Sequence, residues 1–189
     1  MASAFTHAFA AASLGAVITP GQVVPRLLVV GAICSVLPDL DVVGFRLGVA
    51  YGDLLGHRGL SHSLAFALVT ALCVTPLFFA GARFEGLRVR VGVYVFVVTA
   101  SHGLFDAMTN GGLGVAFFSP FDETRYFLPI RPVEVSPIGI AAFFTTRGVS
   151  VLASEAVWIA LPWTLLVLLV RGLVVGAERR SGSGGGPRA

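Results

Sequence analysis

Lysine is absent from this 189-residue chain; all 13 basic side chains are arginine. Acids are equally scarce, ten in all, and charged residues make up 12% of the sequence. That is about half the share of an ordinary soluble domain, too little to cover a water-exposed surface. The net charge of +3 is spread out, and no basic run is interleaved with aromatics, which argues against nucleic acid as a partner. The two cysteines, Cys34 and Cys73, lie in apolar stretches without paired spacing, so neither a disulfide framework nor a thiolate metal site is expected. No basic residue precedes Arg26, and the amino terminus is read as a retained helix rather than a cleaved signal.

What is abundant is apolar: 56% of residues are hydrophobic and the mean hydropathy is +0.87. Five apolar segments stand out, at 4–19, 23–37, 61–80, 91–108 and 151–175. A full span needs ~20 residues, so the first two are short and are expected to end at Pro20-Gly21 and Pro38. The fold expected is all-α: a polytopic integral membrane helical bundle of about five segments, forming one domain over residues 1–175, with a disordered polar tail at 176–189. Pro76 and Pro162 are expected to bend the third and fifth helices. The proline- and glycine-rich connection 109–150, with Phe117, Phe118, Phe121, Tyr126 and Phe127, suits a loop that covers a site or lies at the interface.

Arginine placement suggests the orientation. With five crossings, Arg26, the three arginines of 83–90 and the C-terminal arginines share one side, eight in all, against five on the other. The eight-arginine side, carrying the C-terminus, is expected to be cytoplasmic in a prokaryotic plasma (inner) membrane.

The same parity gathers chemistry. His7 opens the first helix, Asp39 and Asp41 follow the second in PDLD, and His57 and His62 precede the third in GHRGLSHS. His102 and Asp106 close the fourth in SHGLFD. All four histidines thus fall at one membrane face, expected to be extracytoplasmic. His102 and Asp106, four apart, share a helix face. Asp39 and Asp41, two apart, would point the same way in an extended loop. Nitrogen and oxygen donors suit Zn²⁺, with Mn²⁺ or Fe²⁺ as alternatives, and seven candidate ligands (His7, Asp39, Asp41, His57, His62, His102, Asp106) suffice for one or two ions. Ionisable groups in or beside spans are costly and read by default as functional.

PDLD, HRGLSHS and SHGLFD, with a histidine near the amino terminus, together resemble the YdjM-like family over roughly residues 1–170. That family is described as LexA-regulated, membrane-bound, metal-dependent hydrolases. Its ligand pattern is similar to the zinc phospholipase C and P1 nuclease group, where His-x-x-x-Asp pairs like His102 and Asp106 hold zinc. The resemblance implies hydrolysis, with a phosphoester as the expected bond.

On this reading a divalent ion lowers the pKa of water toward neutrality, and Asp39 or Asp41 orients that water or acts as base. Arg58 would bind substrate phosphate, with Arg125 and Arg131 as further anion-binding candidates. Gly59 lets the histidine loop turn tightly, and Ser61 and Ser63 cap the third helix or support His62. A site at the membrane face suits an amphiphilic, lipid-like substrate drawn from the bilayer. Asp53, Asp122, Glu123, Glu134 and Glu155 are read as fixing or solvating loops. Three other readings stay open: hydrolysis of an amide or acyl bond, binding or transport of a divalent metal, and a structural membrane protein whose metal site staples the helices.

Overall fold

The computed structural model describes residues 1–18 and 24–182; the expected Pro20-Gly21 turn and the last seven residues of the expected tail lie outside them. The described helices are α1 (Ala4–Ile18), α2 (Pro25–Val36), α3 (Leu64–Phe78), α4 (Arg88–Ala107), α5 (Ile140–Phe143), α6 (Thr146–Glu155) and α7 (Leu161–Gly182). Three helical stretches are long and apolar enough to cross a membrane: Pro25–Leu47, Arg88–Ala107 and Thr146–Gly176. α1 and α3 are shorter apolar helices of 15 residues each. The bundle is all-α and membrane-spanning, as expected, but the second element, expected to be short, is long, and the third, expected to be a full span, is short.

The exchange has a local cause. Proline is tolerated in the first turn of a helical segment, where its missing N–H has no helical partner to lose. Pro38 occupies such a position, so the chain does not stop there. It tightens into a 3₁₀ helix over Leu37–Leu47 and ends at Gly48, whose φ of +80° an L side chain rarely adopts. The second element is therefore a continuous 23 residues, and PDLD is helical rather than an extended loop. Around Pro162 the fifth element widens instead of breaking, with a π turn over Ala156–Ala160 joining α6 to α7 and relieving the missing donor. α7 then runs to Gly182, into the stretch expected to be tail.

The helices pack inside out. Small and polar side chains face inward, while Leu68, Val69, Leu72, Leu77, Leu165, Leu168, Leu169 and Leu173 point outward, each more than half exposed. In water such a surface aggregates; in a bilayer it is solvated by acyl chains. At the centre, Tyr94 of α4 enters a slot between α1 and α2 floored by Gly15 and Gly31, and its hydroxyl donates to the Ala11 carbonyl at 2.9 Å. The fifth element is keyed to α1 by Trp163, whose Nε1 donates to the Ala10 carbonyl and Ser13 Oγ, both at 3.1 Å.

A Cβ on Gly31 would meet the Tyr94 hydroxyl at 1.8 Å and its ring carbons at 2.5 and 2.8 Å. Gly31→Ala is therefore expected to lower stability by ~1–3 kcal/mol despite alanine's better helix propensity. Tyr94→Phe, which removes one hydrogen bond, should cost about 1 kcal/mol. Thermal unfolding in detergent checks both, and an unchanged midpoint for Gly31→Ala would rule out this packing.

Candidate metal centre

The site is assembled from three pieces of chain. The 3₁₀ extension of α2 carries Asp39 and Asp41, a looped turn carries His57, Arg58 and His62, and the last turn of α4 carries His102 and Asp106. The looped turn is closed by the Leu60 N–H donating to the Leu54 carbonyl at 2.8 Å. Gly59 is required there by close approach, since a Cβ would stand 2.3 Å from that same carbonyl oxygen. The left-handed residue is its neighbour Arg58, at φ +64°, a strained backbone in a non-glycine residue that surrounding contacts must hold in place.

Two groups of ligand atoms converge, each within 4.8 Å: Asp39, His62, His102 and Asp106, and Asp41, His57 and His62. In the first, His62 Nε2 lies 3.1 Å from His102 Nε2, 3.6 Å from Asp106 Oδ2 and 3.8 Å from Asp39 Oδ1, and His102 Nε2 lies 3.3 Å from Asp39 Oδ1. Donors held roughly 2.0–2.1 Å from a tetrahedral cation stand about 3.3–3.4 Å apart, so these separations are the edges of such a shell. His102 Nδ1–H donates to the Ser35 carbonyl at 2.7 Å, which leaves the Nε2 lone pair facing inward.

The atoms around this centre are buried and short of partners. Both oxygens of Asp39 and both ring nitrogens of His7 make no hydrogen bond among the described residues, and Asp106 Oδ2 faces only the Arg58 Nε, at 3.1 Å. Buried polar groups are normally satisfied, and a cation would satisfy the carboxylates here. Burial opposes charge on the His62 ring, yet Asp106, Asp39 and Asp41 outweigh it and push its pKa up to about 10. Three carboxylates facing one ring, with Asp39 and Asp106 on the same side of it, make this a point where a cation is favoured.

Each residue expected at the site can now be placed. His7 stacks on His102 with ring centroids 3.8 Å apart, its Nε2 3.8 Å from Asp106 Oδ1. His57 Nδ1 contacts Asp41 Oδ1 at 2.7 Å. Ser61 donates to Asp41 Oδ2 at 2.6 Å, and Ser63, not Ser61, caps α3 by accepting from the Phe66 N–H. Arg58 is fully buried: its Nε pairs with Asp106 Oδ2 at 3.1 Å, while its terminal nitrogens donate to Thr109 Oγ1 and the Gly111 carbonyl, both at 2.9 Å. Its guanidinium is thus committed to protein groups. Arg125 donates to the carbonyls of His57, Tyr51 and Asp53, tying the long connection across the histidine turn. Arg131 is exposed, over the Phe127 ring at 4.5 Å.

Glu155 was not among the candidates. It is buried at the end of α6, where it accepts from the Ser3 N–H, from Ser3 Oγ at 2.5 Å and from Thr6 Oγ1 at 2.7 Å. It thereby sets the start of α1 and the position of His7. The signal was present, since an acid inside an otherwise apolar span is costly unless it is used.

Replacing Arg58 removes the guanidinium that faces Asp106 Oδ2 and leaves this buried carboxylate with the Ala2 N–H on its other oxygen, so Arg58→Leu is expected to cost ~3–5 kcal/mol. Arg58→Lys should restore only part of this, because an ammonium cannot reproduce the fork to Asp106, Thr109 and Gly111. Thermal unfolding of the detergent-purified variants measures both. Equal stability of all three proteins would show that the pair is not formed.

A paired, arginine-braced His/Asp cluster beneath a membrane bundle can be compared with known proteins. The inner membrane protein YbcI of Escherichia coli (strain K12) is 39% identical over 169 residues, which is 88% of this chain and 95% of that protein. No solved structure matches. The profile of the YdjM inner membrane proteins matches residues 1–179, which takes in every element that builds the cluster, and the chain belongs to that family.

Proposed function

We propose that the protein is a membrane-embedded, metal-dependent hydrolase acting on a phosphoester of an amphiphilic, lipid-like substrate. The observation that carries this reading is the set of buried ligand atoms of Asp39, His62, His102 and Asp106 at the spacing of one coordination shell, with both oxygens of Asp39 left without a hydrogen bond. Zn²⁺ fits two imidazoles and two carboxylates best, with Mn²⁺ or Fe²⁺ as alternatives. A divalent ion bound there supplies Lewis acidity to a phosphoryl oxygen and lowers the pKa of water.

The chain's own groups do the rest. Asp39 has an oxygen left over to take a proton from water, whereas both Asp41 oxygens are already engaged. His7, with two unpartnered nitrogens beside Asp106, is a further ligand or holds a proton near the leaving group. An apolar groove of about 480 Å³ runs along α1 and α2, lined by Phe5, Ala8, Ile33, Val36, Leu37 and Leu40. Leu37 and Leu40 bracket Asp39 in the same 3₁₀ segment, so a hydrocarbon chain lying there would bring its headgroup to the end of the bundle that carries the cluster. Such a substrate enters from the leaflet on the face opposite the eight arginines, which we assign to the extracytoplasmic side.

A second reading, an ion that only staples the helices, is favoured by the depth of the ligands, none more than 7% exposed. The two separate in one assay. Detergent-purified, Zn²⁺- or Mn²⁺-loaded protein is given a panel of phospholipids and polyprenyl phosphates, and released phosphate or headgroup is measured. Turnover that falls at least ~100-fold in Asp39→Asn and His102→Ala is the expected result. A folded, metal-loaded protein that cleaves no phosphoester, and whose variants lose only thermal stability, would establish the staple instead.

A further inference from the structure

The two ligand groups share His62, and in sequence they offer enough donors for two ions. We infer that they form one metal site and not two: Asp39, His62, His102 and Asp106 hold a single divalent cation, and Asp41 with His57 is the brace that presents the His62 ring to it. The inference rests on the metal-holding reading of the cluster and deepens it.

The donor atoms divide cleanly. Asp41 Oδ1 meets His57 Nδ1 at 2.7 Å, and Asp41 Oδ2 accepts from Ser61 Oγ at 2.6 Å and from the Arg58 N–H at 3.1 Å, with His62 Nδ1 at 3.2 Å. No atom of Asp41 or His57 is among the buried polar atoms without a partner, while both oxygens of Asp39 and one of Asp106 are. Asp41 is therefore saturated by protein donors, Asp106 holds the Ala2 N–H on Oδ1 and the Arg58 Nε beside Oδ2, and Asp39 has none. A cation at the Asp41 side would have to displace three hydrogen bonds; one at the Asp39 side displaces none from Asp39 and shares Asp106 Oδ2 with the Arg58 Nε.

His62 points the same way. Its Nδ1 faces Asp41 and its Nε2 faces Asp39, Asp106 and His102. Serving two ions would strip the ring of both N–H protons. Serving one leaves an Nδ1–H for Asp41, the carboxylate–histidine arrangement that orients a ligating imidazole and raises its basicity.

Charge agrees. Asp39, Asp41 and Asp106 share a nearly closed space with one guanidinium, that of Arg58, which pairs with Asp106. One divalent cation brings this set to neutrality. A second would leave an excess of two positive charges where desolvation is most costly.

The test is metal content and affinity of the full-length, detergent-purified protein, read without any activity. After loading with Zn²⁺ and dialysis, elemental analysis should give one ion per folded chain. Asp41→Asn and His57→Gln should still bind one, with affinity weakened about 10–100-fold in chelator competition; Asp39→Asn should bind none. In Co²⁺-loaded protein the ligand-field bands should shift in Asp41→Asn and be lost in Asp39→Asn, which a loss of packing alone would not produce. His57→Gln carries the comparison if Asp41→Asn does not fold. Two ions in the native protein falling to one in Asp41→Asn would overturn the single-ion assignment while leaving a metal centre in place. A native protein that takes up none would overturn both.

Discussion

Burying carboxyl groups beneath an apolar bundle is the most costly thing this chain does, and much of its irregular structure follows from offsetting that cost. Asp39 and Asp106 are almost fully enclosed, and Glu155 is buried a few turns away on another element. An uncompensated carboxylate there would cost several kcal/mol. The chain answers with Arg58, drawn into the interior by a left-handed backbone, and with hydroxyls and amides from Ser3, Thr6 and Ser61. The long connection follows suit. It receives Arg58 at Thr109 and Gly111, donates from Ala116 to the Arg58 carbonyl, and sends Arg125 back over His57. Its length is explained by the surface it has to cover.

Much of the site was legible in the sequence because a membrane restricts geometry. Helices that must cross alternate in direction, so counting crossings was enough to bring His7, PDLD, HRGLSHS and SHGLFD to one end. The four-residue spacing of His102 and Asp106 placed both on one helix face without any tertiary information. The structure brings these side chains together: all four histidines and Asp39, Asp41 and Asp106 stand in or against the cluster.

What was not legible depended on choices that local pattern leaves open. Pro38 reads as a stop, but a proline in the first turn of a tightening helix breaks nothing. PDLD therefore became helical and its two aspartates diverged, Asp39 toward His102 and Asp41 toward His57. Arg58 reads as a free cation beside two histidines, because sequence shows a charge without its counter-ion; the partner, Asp106, is 48 residues away. Glu155 reads as an acid that fixes or solvates a loop, and only the fold reveals that the amino-terminal segment closes over it.

These points bear on how such a cluster stays specific. Around Asp41 every acceptor is filled by the protein, and around Asp39 none is. Filled acceptors make a rigid, ion-indifferent wall; open ones, aimed at a common point by that wall, make a site. His62 joins the two through its opposite nitrogens, so the hydrogen bonds on one side of the ring fix the direction of the lone pair on the other. A bundle packed by small residues and lipid-facing leucines has little directional force of its own with which to hold four donors in register. The polar brace supplies it, which accounts for a chain with few charged groups placing so many of them at one end.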